Sequence, residues 1–268
     1  MITSSSNKSV REVVQLNQKA KTRNKHDLFV TEGIKMFAEA PADRIHRVYI
    51  ARRVEKDLRS TYGDKLHRLS VEIVADDVFD RMSDTKSPQG ILCLVRQFHY
   101  NIEEMLSARG GKKHMLFIIL EDLQDPGNLG TVFRTGEGAG VDGIIMSSQT
   151  VDIYNPKTIR ATMGSVYRVP FLYTDDLCGT IRVLQKNDIR VYAAHLDGAG
   201  FYEEHDYCRG TAFLVGNEGN GLKQETVDCA DERIRIPMEG RVESLNAAVA
   251  SSILLYEAYR QRRCANEI

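Results

Sequence analysis

The chain has 268 residues, of which 42% are hydrophobic, and a formal net charge of −1 at pH 7. This composition fits one large domain or two ordinary ones, and it excludes an intrinsically disordered chain. The first ten residues contain no apolar signal segment, and no later apolar run approaches the ~18 residues of a membrane-spanning helix. We therefore expect a cytoplasmic protein without a membrane partner.

The cysteines are scattered along the chain, without a Cys-x-x-Cys pair and without a histidine at metal-ligand spacing. This spacing predicts reduced thiols and no metal site. The five residues are Cys93, Cys178, Cys208, Cys229 and Cys264.

Charge is distributed unevenly. Residues 1–100 carry a formal charge of +5, and residues 101–268 carry −6. One basic run has only Glu12 as an opposing charge, and it consists of Lys8, Arg11, Lys19, Lys21, Arg23 and Lys25. Such a cluster can neutralise phosphates of a nucleic acid, or it can be a solvated helix face. Charge alone does not separate the two interpretations.

The first hundred residues predict a small α/β module. Helices are predicted from hydrophobic spacing and strands from short β-branched or apolar runs. In chain order we predict a helix over 9–22 with Ser9 as its N-cap, a helix over 29–39, a strand over 46–51, a helix over 53–62, a strand over 71–74, a helical turn over 76–81 and a strand over 91–95.

From His114 onward, strands and helices alternate. Strands are predicted at 115–120, 143–146, 190–194, 212–215 and 233–236, and helices at 129–139, 157–163, 181–186 and 245–261. Alternation of this kind indicates a mostly parallel sheet with helices on both faces. The sequence therefore predicts two domains, 1–100 and 114–268, joined by a linker over 101–113.

Three segments of the second domain end strands in loops rich in Gly, Pro, Asn and Ser: 121–137, 213–222 and 234–250. Loops at the carboxyl ends of parallel strands meet at one edge, where such folds bind ligands. In the first loop, Asn128 can cap the following helix, which also carries Arg134. In the third loop, Ser244 and Asn246 could both cap the last helix, and Ser244 is well suited to that role. Each residue taken alone is also explained by a purely structural role.

Two glycine-rich segments invite a nucleotide-binding interpretation. The segment GEGAG (136–140) follows a predicted helix and precedes a strand, whereas a dinucleotide fingerprint must lie between a strand and the next helix. We interpret it as a glycine C-cap and turn. The segment GNEGNG (216–221) lacks the Gly-Lys-Ser/Thr of a P-loop. A nicotinamide-dependent oxidoreductase is therefore disfavoured.

Taken together, the three loops resemble the motifs of the SpoU/TrmH family of RNA ribose 2′-O-methyltransferases, within the SPOUT superfamily. The family shows an Asn six residues before an Arg, then a G-N-E-x-x-G loop, then a Pro followed by Ser-Leu-Asn. The matching residues here are Asn128, Arg134, Gly216, Asn217, Glu218, Gly221, Pro237, Ser244, Leu245 and Asn246. Residues 23–40 and 87–95 resemble the substrate-binding module of many members, so the resemblance covers nearly the whole chain.

The resemblance implies a fold and a cofactor. It implies a carboxyl-terminal SPOUT-type parallel sheet with a trefoil knot, preceded by a small ribosomal-protein-like α/β sandwich. It also implies S-adenosyl-L-methionine (AdoMet) as methyl donor. By motif position, the residues expected to contact AdoMet are Gly216, Asn217, Ile236 and Leu245, with Leu196 in a further wall over 195–198.

The resemblance also implies a catalytic set. Arg134 is central in the family, and Asn128, Glu218, Ser244 and Asn246 complete the set. An arginine is a poor general base because its pKa lies above ~12, which favours a clamp on phosphate and developing alkoxide charge. Deprotonation of Arg134, as proposed for the family, is the second possibility. Both roles stay open at this point.

The expected partners are RNA and a second copy of the chain. Lys21, Arg23 and Lys25 are the predicted RNA-contacting residues, and ribosomal RNA of the 23S type is favoured by analogy over transfer RNA. Apolar residues on two stripes of the last predicted helix, 245–261, indicate a homodimer. A catalytically silent RNA-binding relative is the remaining alternative, which the intact motif residues oppose.

Overall fold

A computed structural model describes residues 1–107, 114–198, 200–241 and 244–266. The predicted linker lies partly outside these residues. The chain splits into two compact units. The first contains Met1–Phe98 together with Asp152–Tyr167, and the second contains His99–Val151 and Arg168–Ile268. The segment Asp152–Tyr167 therefore joins the first unit although it follows the start of the second in sequence.

The helices and strands of both units are numbered along the chain. They are α1 (Lys8–Gln18), α2 (Ala20–His26), β1 (Leu28–Glu32), α3 (Ile34–Glu39), β2 (Ile45–Ala51), α4 (Glu55–His67), β3 (Val71–Val74), α5 (Asp76–Met82), β4 (Ile91–Arg96), α6 (Ile102–Ser107), β5 (Leu116–Leu120), α7 (Pro126–Ala139), β6 (Gly143–Ser147), α8 (Pro156–Thr162), β7 (Phe171–Thr174), α9 (Leu177–Lys186), β8 (Ile189–Ala194), β9 (Gly200–Phe201), β10 (Gly210–Val215), α10 (Gln224–Val227), β11 (Glu232–Arg235) and α11 (Ala247–Asn266).

The first unit is built on a four-stranded mixed sheet in the order β1-β4-β2-β3. Strand β4 pairs antiparallel with β1 and β2, and β2 pairs parallel with β3. Helix α1 buries Val10, Val13 and Leu16 in a core shared with α5 and the sheet. The apolar spacing of α1 therefore attaches this helix to the sheet, as an amphipathic helix requires.

The second unit contains a seven-stranded sheet in the order β7-β6-β5-β10-β8-β11-β9, and every pair in it is parallel. Every residue of β5, β6 and β10 is buried, as expected for central strands covered on both faces. The predicted α/β fold with a parallel sheet is confirmed.

The strand order determines where the motif loops meet. Strands β5, β10, β8 and β11 are consecutive neighbours in the sheet and run parallel. Their carboxyl ends therefore lie along one edge, and the loops after β5, β10 and β11 are the three motif loops. The loop after β8, which contains Leu196, opens at the same edge.

Two predicted elements of the first unit were wrong. The predicted helix over 29–39 begins as a strand, because Leu28–Glu32 pairs with β4 along its whole length and Gly33, with φ of 104°, interrupts the chain before α3. The predicted helix over 9–22 is two helices separated at Lys19, whose backbone is extended. Its N-cap is Asn7 rather than Ser9, since the Asn7 side chain accepts a hydrogen bond from Ser9 N–H. At Leu28–Glu32, sheet pairing overrode local helix propensity.

The prediction that all cysteines are reduced was wrong for two of them. Cys178 and Cys229 form a disulfide with a Cα–Cα distance of 5.8 Å across a sequence separation of 51 residues. Cys178 lies in the first turn of α9 and Cys229 follows α10, so only the tertiary structure brings them together. Cys93, Cys208 and Cys264 are free. Burial raises the pKa of the Cys93 thiol to about 12.

Candidate active site

A cleft of about 750 Å³ opens at the edge where β8, β10 and β11 end. Every residue predicted to contact the cofactor lines it: Leu196, Gly216, Asn217, Ile236 and Leu245. Two predicted catalytic residues, Glu218 and Ser244, also line the cleft. The structure therefore brings together residues that are separated by up to about 50 positions in sequence.

Glycine at position 216 is required by a close approach of two backbone segments. A Cβ at Gly216 would lie 2.3 Å from the carbonyl carbon of Gly221 and 2.5 Å from Leu222 N. The amide of Asn217 donates to the Gly221 carbonyl at 3.0 Å, and the Gly221 amide donates back at 2.9 Å. Gly221 itself has φ of 67°, a conformation that favours glycine. The loop after β10 is thus folded tightly on itself, with main chain exposed to the cleft.

Three predicted catalytic residues form one hydrogen-bonded chain. Asn128 Nδ2 donates to Glu218 Oε1 at 2.8 Å, and Asn246 Nδ2 donates to Asn128 Oδ1 at 3.0 Å. The other carboxylate oxygen, Glu218 Oε2, accepts from the amide of Gln124 at 3.4 Å. One residue from each motif loop therefore contributes to a single polar network beside the cleft.

The capping roles differ from those predicted. Helix α7 is capped by Asp125, whose carboxylate accepts from Asn128 N–H at 2.7 Å, with Pro126 in the first turn. The amide group of Asn128 is thereby left for Glu218 and Asn246. Helix α11 is capped by Asn246, whose Oδ1 accepts from Ala248 N–H at 2.9 Å. Asn128 and Ser244 therefore do not cap these helices, whereas the alternative expectation that Asn246 caps the last helix is confirmed.

Asn217 and Glu121 hold the second motif loop against the first. Asn217 Nδ2 donates to the carbonyl of Asp122 at 2.7 Å, while its Oδ1 accepts from the amides of Gly219 and Asn220. The buried carboxylate of Glu121 accepts from Lys223 N–H at 2.8 Å and from the Thr226 hydroxyl at 2.6 Å. Glu121 and Asp122 directly follow β5, so these hydrogen bonds fix the position of Glu218 relative to α7.

An ion pair reinforces the same junction. Lys223 Nζ lies 2.7 Å from Asp122 Oδ2. Partial burial disfavours the charged form of Asp122, but hydrogen bonds from Lys223 and Ser147 outweigh it and lower the pKa of this carboxyl. The hydrogen bond to Asp122 correspondingly raises the pKa of Lys223. Both groups are therefore charged at neutral pH.

Arg134 lies on the exposed stripe of α7, together with Gly127, Thr131 and Gly138. Its side chain is exposed and forms no hydrogen bond or ion pair within the described residues. The guanidinium is therefore available to a ligand. Gly140, at the end of this helix, has φ of 76° and is its C-cap, which confirms the interpretation of GEGAG as a helix terminus.

Of the predicted RNA-contacting residues in the first unit, Lys21 and Lys25 are exposed on α2, whereas Arg23 is buried. Arg23 donates to the Asp152 carboxylate at 2.6 Å and to the carbonyl of Leu16 at 2.7 Å. Its charge is already compensated within the unit, so we correct its assignment from RNA contact to structural anchor. Nothing in the sequence identified Asp152 as its partner.

Sequence reasoning also missed residues of the cleft. Phe201 and Arg235 line it, and Gln124 contacts Glu218. Phe201 belongs to the two-residue strand β9, which is too short for a periodicity signal. No group of three or more His, Cys, Asp or Glu side chains that could hold a metal occurs within the described ranges. None of the helices in these ranges has the length and apolarity needed to cross a membrane.

Comparison with known families gives a match over both parts of the chain. Residues 115–256 match the SpoU rRNA Methylase family, and residues 7–93 match the MRM3-like substrate binding domain. The chain belongs to the SpoU rRNA methylase family. The first match contains all three motif loops, and the second covers most of the first unit.

Three proteins are similar to this SpoU family member over nearly their whole length. The 23S rRNA (guanosine(2553)-2′-O)-methyltransferase RlmP of Bacillus subtilis is 31% identical, with 95% of this chain and 97% of the relative covered. The structure of an AdoMet-bound rRNA methyltransferase from Sinorhizobium meliloti is 31% identical, with 97% of each chain covered and a TM-score of 0.83. The SpoU methyltransferase AviRb from Streptomyces viridochromogenes, in complex with AdoMet, is 22% identical over 96% of this chain and 98% of its own, has a TM-score of 0.83 and shares the fold.

The family assignment confirms the prediction of an AdoMet-dependent RNA 2′-O-methyltransferase. The cleft of this SpoU member also fits the cofactor on its own geometry. The apolar side chains of Leu196, Ile236 and Leu245 provide surface for an adenosine, and the glycine at position 216 leaves main chain exposed beside them. The acidic lining residue Asp197 complements a ligand that carries positive charge.

Proposed function

We propose that this chain methylates the ribose 2′-hydroxyl of a nucleotide in ribosomal RNA, most specifically RNA of the 23S type, in the cytoplasm. The observation that supports it best is the hydrogen-bonded chain Asn246–Asn128–Glu218, which joins all three motif loops beside a cofactor-sized cleft. The names of the B. subtilis and S. meliloti relatives support ribosomal RNA as the substrate class.

Five residues would hold AdoMet: Gly216 and Asn217 through their backbone, and Leu196, Ile236 and Leu245 through apolar surface. When bound, AdoMet supplies a methyl group already activated on a sulfonium. The protein is left with two tasks, which are to align the ribose hydroxyl and to manage its proton and charge.

Arg134 is the proposed clamp for the RNA. Its guanidinium is exposed and free of internal partners within the described residues, and a planar fork matches the oxygens of a phosphate. Because an arginine stays protonated at neutral pH, Arg134 would stabilise the developing alkoxide instead of removing its proton. Asn128 and Glu218 would orient the ribose, with Ser244 and Asn246 ordering the final loop.

We further propose a division of labour along the chain. Residues 1–100, which carry Lys21 and Lys25, would recruit RNA, 101–113 would be a linker, and 114–268 would perform catalysis. Support comes from the +5 charge of the first hundred residues and from the substrate-binding domain matched there. A fragment from about residue 112 should keep AdoMet affinity and lose most affinity for structured RNA. Equal RNA affinity of fragment and full chain would contradict this division.

Three further features are proposed because the chain belongs to this family. They are a trefoil knot in the second unit, a ribosomal-protein-like sandwich in the first, and a homodimer. The dimer is supported by exposed apolar residues on α11, namely Val249, Tyr256 and Tyr259. Light scattering that gives a monomer mass at micromolar concentration would reject the dimer, and a crystallographic chain trace would test the knot and the sandwich.

The substrate is tested by ribose-methylation maps of RNA from cells with and without the gene for this chain. Loss of one methylated ribose in ribosomal RNA, restored by the wild-type gene and not by an Arg134→Ala variant, is the expected result. If methylation were lost only in transfer RNA, the substrate would be transfer RNA and not ribosomal RNA. Unchanged maps, together with no methyl transfer in vitro, would indicate a catalytically silent relative.

A further inference from the structure

The cofactor cleft is lined by more acidic residues than arginines or lysines. Of those described, Asp197, Glu218 and Glu239 are acidic, and Arg235 is the one arginine or lysine. AdoMet carries two positive groups, the sulfonium and the ammonium, and one negative group, the carboxylate. Acidic residues suit the positive groups, whereas a cationic donor is the strongest replacement for the water shell of the carboxylate.

Arg235 is held at the cleft by strand pairing. It is the last residue of β11, and its Cα partner in the neighbouring strand β9 is Phe201. The guanidinium carbon lies 4.5 Å from the centroid of the Phe201 ring, a distance typical of a cation–π contact. Both residues line the cleft. The stack restricts the conformations of the long side chain, so less entropy is lost when it binds a ligand.

The polar atoms of Arg235 are left for a ligand. Its side chain forms no ion pair and no hydrogen bond with any described residue. Arg233, two residues earlier on the same strand, differs in this respect: its guanidinium lies 2.7 Å from Asp228, and it does not line the cleft. Two exposed arginines of one strand therefore have different environments, and only Arg235 faces the cofactor site with unused donors.

We propose that Arg235, stacked on Phe201, binds the carboxylate of the methionine part of the cofactor and thereby selects ligands that carry the amino-acid group. This rests on the proposed use of AdoMet in this cleft. The planar fork of arginine donates two parallel, charge-assisted hydrogen bonds to a carboxylate, and a neutral or apolar lining lacks that charge. Phe201 acts as a positioning residue for that fork.

The test compares two ligands that share the adenosine and the thioether. S-adenosylhomocysteine carries the amino-acid group, whereas 5′-methylthioadenosine lacks it. By calorimetry, Arg235→Gln should weaken S-adenosylhomocysteine about tenfold and leave 5′-methylthioadenosine within about twofold, because only the first ligand loses a charge-assisted bond. Phe201→Leu, which keeps the cation but removes its support, should weaken S-adenosylhomocysteine selectively by a smaller factor.

Arg233→Gln is the matched control, since it removes the same charge from the same strand outside the cleft. It should leave both affinities unchanged. If Arg235→Gln lost the same affinity for both ligands, or none for either, the assignment would be overturned. The proposed function would stand in that case, because the wild-type protein would still bind S-adenosylhomocysteine. Loss of RNA affinity with unchanged S-adenosylhomocysteine affinity would instead assign Arg235 to the RNA. Wild-type protein that binds neither ligand would contradict the proposed function, and the inference with it.

Discussion

Asn128 Nδ2 lies 2.8 Å from Glu218 Oε1, although the two residues are 90 positions apart in the chain. Asn128 is free to make this bond because Asp125 caps α7 in its place. Glu218 reaches it because Asn217 and Glu121 hold the loop after β10 against the end of β5. The pair thus depends on two local arrangements that neither residue provides itself.

This pair should behave as one unit in catalysis. Asn128→Ala and Glu218→Ala should each lower the methyl-transfer rate by about tenfold or more, and the double variant should lose little beyond either single variant. Residues that share one hydrogen bond couple in this way. Single-turnover transfer of a labelled methyl group to RNA measures the rates of the wild type, the two single variants and the double variant. Fully additive losses would show that the two side chains act separately.

Arg134→Ala should abolish methyl transfer and leave the affinity for S-adenosylhomocysteine within about threefold, because its proposed contact is with RNA. Arg134→Lys should also be poor, since a point charge does not replace a planar fork. Arg182→Ala, which removes an exposed arginine of α9, serves as the control. Normal turnover of Arg134→Ala would make Arg134 dispensable and refute the clamp.

Gly216→Ala should abolish cofactor binding, because its Cβ would lie 2.3 Å from the carbonyl carbon of Gly221 and the loop would have to open. Gly219→Ala in the same loop should retain binding within about threefold, since its nearest neighbour, Asn217 Oδ1, would be 3.5 Å away at ordinary contact distance. Calorimetry with S-adenosylhomocysteine compares the two variants. Intact binding by Gly216→Ala would refute the tight-loop explanation.

On α2, substitution of Arg23 should affect stability, whereas substitution of its exposed neighbours should affect RNA binding. Arg23→Ala removes the cation that pairs with the Asp152 carboxylate and should lower the free energy of unfolding by about 3 kcal/mol. Lys21→Ala should change it by less than about 0.5 kcal/mol. Charge reversal of Lys21 and Lys25 together should weaken RNA binding without unfolding. Urea titration and RNA binding at one salt concentration provide the measurements.

Asp122 should make stability depend on pH in the acid range. Burial opposes its ionisation, but the bonds from Lys223 and Ser147 prevail and lower its pKa, so the folded state favours the carboxylate. The stabilisation is therefore present above the unfolded pKa of about 3.9 and is lost as the pH falls through the lower folded value. Asp122→Asn should reduce the melting temperature at pH 7, with a difference that shrinks below about pH 4. A pH-independent difference would contradict this origin.

The sequence determined the local parts of this protein. Apolar runs at the positions of β5, β6 and β10 identified a buried parallel sheet, and the resemblance of three loops to the SpoU/TrmH motifs identified the motif positions. These predictions succeeded because burial on both faces and tight turns restrict the residue types at each position. The residues expected to contact AdoMet, four of them in these loops and Leu196 in the loop after β8, line one cleft.

Only the tertiary structure decided which polar side chain meets which. The partners Arg23 and Asp152 are 129 residues apart, and Cys178 and Cys229 are 51 apart, so no local pattern links them. Leu28–Glu32 became a strand through pairing with β4 in place of the predicted helix. The pairing of β11 with β9 places the guanidinium of Arg235 beside Phe201 at the cleft. Several local conformations were acceptable at these positions, and long-range pairing determined which one formed. A short window of sequence does not contain the energy of that pairing.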